Sequence, residues 1–330
     1  MIRSSLRVAV PLVALAAAII QGASAAVAAT GTPTGSPAYR TVHVRELTIP
    51  TPDSGPSAIA TDRHGDIWFT ESMGNKIARI DRAGHIREYQ VPTADAYPDG
   101  ITIAPDGSVW FGELLGNKVG RLNAHGAITE YPIQNPLGLA FGPDHNLWIA
   151  QSYTNQIARM RPTGEVIAQY TVPTANSTPV AIVAGPDNAM WFTERMAGKV
   201  GRITRSGKIT EYQVPLGPVG ITVGPDRNLW VALQDSASIA RLTPTGVVTD
   251  FPISPSGALA GPTGITVGPD RNLWVAEQFG HTITRVTPSG VVTAFPVPNA
   301  PAFITVGRGR TLWFTEFSAN RIGVLPVPRR

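Results

Sequence analysis

The chain has 330 residues with 33 glycines, 30 prolines, seven tryptophans and no cysteine. The last fact excludes disulfides, thiolate metal sites and a cysteine nucleophile. Its 27 basic and 23 acidic residues give a formal net charge of +4, without any Lys/Arg run except the terminal Arg329 and Arg330, so nothing here has the footprint of a nucleic-acid-binding surface.

At the amino terminus, Arg3 and Arg7 precede an apolar run from Val8 to Ile20 and then the small residues "GASAAVAAT", which hold Ala-X-Ala cleavage sites. That is the pattern of a secretory signal peptide. The run falls short of the roughly 20 apolar residues needed to span a bilayer, and it contains Pro11. The expected organisation is a signal peptide over 1–29, a flexible linker over 30–38 and one domain over 39–330, secreted, without a membrane span and monomeric. Cleavage near Ala26 or Ala29 removes Arg3 and Arg7 and leaves 25 basic against 23 acidic residues.

Next comes "VHVRELTIP", Val42 to Pro50, a lone strand pattern whose role follows from what lies behind it. The tryptophans Trp68, Trp110, Trp148, Trp191, Trp230, Trp274 and Trp313 are spaced 38 to 44 residues apart, each with a proline twelve residues earlier, from Pro56 to Pro301. Seven copies of one module follow from that register. In "PVGITVGPDRNLWVALQDSASIARLTPTGVVTDFPI" four strands are readable, "GITVG", "LWVAL", "SIARL" and "VVTDFPI", separated by Pro-Asp and Pro-x-Gly turns. Four antiparallel strands per unit of about 40 residues make a propeller blade. The last unit stops at "RIGVLPVP" without a fourth strand, and Val42–Pro50 supplies one, closing the ring and removing an open edge. The predicted fold is therefore all-β, a seven-bladed β-propeller closed by its amino-terminal strand.

The repeated tryptophans belong to the core between blades. Six arginines stand eleven residues after them, at 79, 121, 159, 202, 241 and 285, and are expected to bond backbone or carboxylate between blades; the last unit has Val324 instead. Two positions per unit are expected to face one channel mouth. The residue after each opening proline gives Ser57, Asp99, Leu137, Val180, Val219, Thr263 and Ala302; the residue three after each Trp gives Glu71, Glu113, Gln151, Glu194, Leu233, Glu277 and Glu316. Five glutamates plus Asp99 would make this mouth acidic. They would hold a cation or a cationic ligand, with Glu277 and Glu316 on adjacent blades as its metal ligands; the alternative is that each Glu pairs with Lys76, Lys118, Lys199 or Arg321. No histidine occupies these positions. His281 lies in a mouth-side loop, replacing the asparagine found at 75, 117, 155 and 320, and is a further candidate.

The unit "GPDNAMWFTERMAGKVGRITRSGKITEYQVP", repeated along the whole mature chain, resembles the blade of the virginiamycin B lyase (streptogramin lyase) family of seven-bladed propellers. The resemblance implies a metal-assisted elimination, with magnesium, that opens the ester of a cyclic depsipeptide antibiotic without consuming water. It further implies a base histidine directly after the last opening proline, a glutamate two residues before it, another three after Trp, and a second histidine opening the preceding unit. In this chain those positions hold Ala302, Ala300, Glu316 and Thr263, so only Glu316 matches. The expectation is a lyase-like propeller that binds a small-molecule or peptide ligand at the channel mouth. Two alternatives stand beside it: a carbon–oxygen lyase or lactone-cleaving enzyme using Glu277 or Glu316 with a divalent metal, and a protein-interaction platform of the NHL-repeat kind.

Overall fold

The computed structural model describes residues 37–254 and 260–328; the segment read as a signal peptide and most of the linker lie outside the described residues. Blade 1 consists of Pro56–Thr61, Ile67–Glu71, Lys76–Ile80 and Ile86–Gln90, ordered from the channel outward as an antiparallel sheet. Six further blades repeat it, giving seven sheets about one axis. No helix among the described residues is long and apolar enough to cross a membrane. In the fifth blade the strands run Pro218–Val223, Leu229–Leu233, Ser238–Leu242 and Val248–Pro252, so the innermost strand begins two residues before "GITVG".

The ring closes as expected. Arg45–Thr48 pairs antiparallel with Arg321–Pro326, which places Arg45 opposite Val324. This register accounts for the one unit that lacks the repeated arginine. The Arg45 guanidinium lies over Trp313 at 5.9 Å, where Arg79 and Arg121 lie over Trp68 and Trp110 at 5.6 and 5.5 Å, so the closing strand restores the cation–π contact. Beyond what the sequence suggested, Ala38–Tyr39 adds a short parallel strand to the sixth blade at Thr293–Ala294.

The core lies between blades. Trp68 packs against Val109, Phe111 and Leu122 of the next blade, and Trp110 against Leu147 and Ile149 of the one after. Within its own blade each of the first four tryptophans stacks on an outer-strand tyrosine, as Trp110 does on Tyr131 with ring centroids 5.6 Å apart. The arginines act mostly within blades, although Arg159 also donates to the Arg205 carbonyl of the next blade at 3.4 Å. Arg121 pairs with Asp106 at 2.8 Å and Arg202 with Asp187 at 2.6 Å, each on the turn between the first two strands. The same turn satisfies the buried indole, since Trp191 Nε1 donates to Asp187 at 2.9 Å.

One irregularity positions the site. In six blades the innermost strand carries one extra residue just after its opening proline: Pro56 faces Glu71, yet Ile59 faces Phe69, and the same slip recurs through the sixth blade. Such a bulge re-aims the side chain beside it. Threonines two after Trp capture backbone N–H groups there, with Ala58 N donating to Thr70 Oγ1 and Ala181 N to Thr193 Oγ1, both at 3.0 Å.

Candidate functional site

The positions after the opening prolines build the mouth. Ser57, Asp99, Leu137, Val180, Val219, Thr263 and Ala302 are all buried by neighbouring strands, and all seven line a cavity of about 210 Å³ at the axis. Its wall is mostly apolar, because Leu137, Val180 and Val219 join Leu114 and Tyr97 in one cluster. Adjacent inner strands approach closely here. A Cβ on Gly100 would sit 1.9 Å from the Leu137 carbonyl oxygen, so only glycine lets these two strands meet.

The second ring of the cavity is not the one three residues after Trp. It is the ring four after Trp, of which Arg195, Gln234, Gln278 and Phe317 line the cavity. Three of these form a polar arc across consecutive blades: Arg195 Nη2 donates to Gln234 Oε1 at 2.7 Å, and Gln234 Nε2 to Gln278 Oε1 at 3.4 Å. The next residues outward, Met73, Leu115, Tyr153, Met196 and Phe279, are large, apolar and exposed, so the rim above the cavity is greasy.

The glutamates expected at the mouth lie elsewhere. Glu71, Glu113, Glu194, Glu277 and Glu316 are buried and none lines the cavity, because strand alternation turns them onto the face that meets the preceding blade. They do not pair with the neighbouring lysines either. Lys118 Nζ binds Glu130 of the outer strand at 2.6 Å and Thr93 of the preceding loop at 2.6 Å, and Lys199 binds Glu211 and Thr174 in the same way. Glu113 and Glu194 lie beside those already occupied carboxylates. Burial, then the neighbouring Glu130 charge, lifts the Glu113 carboxyl to about 7; burial and then Glu211 lift Glu194 to about 8. For Glu71 and Glu316, burial and then Glu88 or Glu46 give about 7. Two carboxyls so placed keep one proton between them. Blade 3 shows the same need with neutral groups: Gln151 and Gln169 occupy the two positions, and Gln169 Nε2 donates to Gln151 Oε1 at 2.8 Å.

The metal expected at Glu277 and Glu316 finds a poor donor set. Glu277 accepts from Ser254 Oγ at 3.1 Å, and Glu316 accepts from Asn299 Nδ2 at 3.3 Å in a group with Glu46 and Arg321. No three Asp, Glu or His side chains gather at one point among the described residues, and Ala302, Ala300 and Thr263 add no carboxylate or imidazole. A magnesium ion, which takes near-octahedral oxygen coordination, does not fit these residues.

His281 is exposed and does not line the cavity. It holds a left-handed turn position, φ 50°, shared with Asn75, Asn117, Asn155 and Asn320. Asparagine there also ties the loop down, as Asn75 does by donating to the Thr93 carbonyl at 2.8 Å. Thus Asp99 and Thr263 are brought to the cavity, while the five glutamates and His281 are not. Arg195, Gln234, Gln278 and Phe317 were missed, and only counting one residue beyond the second strand would have found them.

The sequence profile of the virginiamycin B lyase family matches residues 16–217 and 216–328. A virginiamycin B lyase from Staphylococcus aureus is 35% identical, with the match covering 87% of this chain and 99% of that one at a TM-score of 0.82. A streptogramin B lyase structure is 33% identical over 87% of this chain and 98% of that one, also at 0.82. A catalytically inactive histidine-to-alanine variant of the Staphylococcus aureus enzyme, solved with quinupristin, matches equally, at 35% identity over 87% and 99% with a TM-score of 0.82. A search of curated protein sequences gave no match.

Proposed function

The chain belongs to the virginiamycin B lyase family, and we propose that it works as a ligand-binding propeller of that family, holding a small molecule or peptide in the channel cavity without linearising streptogramin B antibiotics. The observation that carries this reading is the cavity itself, which keeps an apolar wall and a polar arc but has Ala302 and Thr263 on its rim. By the resemblance these are the two histidine positions of the family. General base catalysis contributes roughly 10²–10⁴-fold, and neither alanine nor threonine accepts a proton near neutral pH. A histidine-to-alanine variant of the Staphylococcus aureus lyase is itself catalytically inactive. Glu277 and Glu316, with carboxyls near 7, have the basicity for proton transfer but do not line the cavity.

A second reading, a peptide- or protein-interaction platform, is favoured by the exposed rim of Met73, Leu115, Tyr153, Met196 and Phe279, since large apolar side chains clustered around a pocket mark contact surfaces. Residues 1–29 complete the proposal as a leader that directs the protein out of the cell.

Purified protein incubated with a streptogramin B antibiotic and magnesium is expected to leave it unchanged. Elimination conserves mass, so the readout is a ring-opened isomer resolved by chromatography before mass detection, and turnover at the rate of an authentic lyase would sink the non-catalytic half. For the binding half, the neutral probe 2-phenylethanol should show saturable binding by NMR that disappears in Val219→Trp, whose side chain fills the cavity. Absence of binding, or binding indifferent to the filled cavity, would overturn it.

A further inference from the structure

Among the described residues, two charged side chains line the cavity, Asp99 and Arg195, and their circumstances differ. Arg195 is engaged: it donates to Gln234 at 2.7 Å and lies 3.6 Å from the carboxylate of Asp235. Asp99 accepts from Ser57 Oγ at 2.9 Å. Burial raises its carboxyl to about 6 against that hydrogen bond, and among the described residues no lysine or arginine acts on it. Its charge is nevertheless felt nearby, since the Tyr153 hydroxyl is raised by burial and then by Asp99. Near neutral pH the cavity therefore contains one carboxylate without a cation from the chain, in a low-dielectric setting where unpaired charge is costly.

The wall chemistry narrows what can neutralise it. A bare divalent ion needs about six oxygens, whereas among the described residues the inner ring offers the Ser57 hydroxyl next to Asp99 and the Thr263 hydroxyl only across the channel, beyond the leucine and valines. An anion would be repelled by Asp99 and would compete with Asp235 for Arg195. An organic cation meets both features, because its charge pairs with Asp99 while its carbon body lies on Leu137, Val180 and Val219.

Resting on the reading of the cavity as a ligand site, we infer that it takes an amphiphilic amine, with the ammonium group on Asp99 and an apolar body against the aliphatic wall. Hydrogen bonds from an ammonium to a carboxylate are about twice as strong as neutral ones, and burial among low-polarity groups weakens their competition with water.

The test compares three probes of similar shape on the full protein by calorimetric or NMR titration: 2-phenylethylammonium, 2-phenylethanol and 3-phenylpropionate. The amine is expected to bind about tenfold tighter than the alcohol, with the carboxylate weakest. Asp99→Asn, near in shape, should remove the preference for the amine over the alcohol, and its thermal melting curve reports that the variant is folded. Equal binding of amine and alcohol by the unaltered protein would overturn the inference while leaving the cavity reading intact. A preference for 3-phenylpropionate would overturn it in favour of Arg195, and failure of all three probes to bind would remove both.

Discussion

Asp99 and Glu113 belong to the same blade, both are buried, and burial raises the carboxyl of each, yet the two act differently on the fold. Glu113 sits beside Glu130, which is fixed by Lys118 and Thr93, so it lies against a link between one blade and the loop of the blade before it. Asp99 has a cavity where Glu113 has a neighbour. The same group is enclosed by the chain in the first setting and faces the cavity in the second. The blade interior and the channel mouth thus differ in whether a buried charge is completed by the chain.

The largest way to break this comparison is to break the ring that supports both regions. Deleting residues 39–53 removes the outer strand of the last blade, the Arg45 cover of Trp313, the buried Ile49 and the Thr51 link to Glu88. Loss of several buried apolar contacts is worth several kcal/mol, so the melting temperature should fall by more than about 10 °C. A truncated chain that melts with the full one would show that closure supports neither region.

A smaller effect separates the interior carboxyls from ordinary ones. Glu194 has a folded pKa near 8 against a usual 4.5, so the folded state holds the extra proton between these values. Its stabilising contribution is complete below about 4.5 and is lost as pH rises through about 8. Its neighbour moves oppositely: burial would raise Glu211, but the Thr174 and Lys199 hydrogen bonds outweigh it and hold that carboxyl low. Melting temperatures should therefore fall from about pH 5 to about pH 8 and level off above it. Glu194→Gln, whose amide keeps a donor as Gln151 does, should recover on the order of 1 kcal/mol at pH 9. An unchanged slope in the variant would return Glu194 to an ordinary acid.

The smallest effect is expected at the mouth. Asp99→Asn keeps an acceptor for Ser57 and removes a charge that the chain does not pair. At pH 8, above the Asp99 value of about 6, the variant should be more stable by less than about 1 kcal/mol, and at pH 4 the gain should vanish. Destabilisation at pH 8 would mean that the fold itself uses the Asp99 charge.

The fold was legible because its signals repeat. One proline and one tryptophan per unit fix seven blades, and the missing strand after Pro326 pointed to Val42–Pro50. The first ring of the cavity was legible for the same reason, since Asp99 and Thr263 stand directly after their prolines. The second was not. Counting along an ideal strand places Glu113 and the residue after Pro98 at one rim, but the bulge at Asp99 turns the inner strand toward the axis while Glu113 stays on the face between blades. No residue type marks that slip, because Ser57, Asp99, Leu137 and Val180 share nothing but their position. The carboxyl pairs were hidden for another reason: Glu113 and Glu130 are seventeen residues apart on strands that are not adjacent, so only the folded sheet brings them together.

The closing strand also bears on the order in which the molecule comes into being. Glu46 and Arg321, which form an ion pair, are 275 positions apart in the chain, so one partner is synthesised long before the other exists. Until then the apolar face of Ile67 and Phe69 has no Trp313 or Ile322 to cover it, and the cavity has a gap where Ser57 should adjoin Ala302. Bringing together ends so distant in sequence is slow relative to local pairing. The individual sheets can therefore form as the polypeptide emerges, but the closed ring and the complete cavity wall exist only once the strand Arg321–Pro326 is made. A chain that stops short of that strand would have blades around an open channel wall.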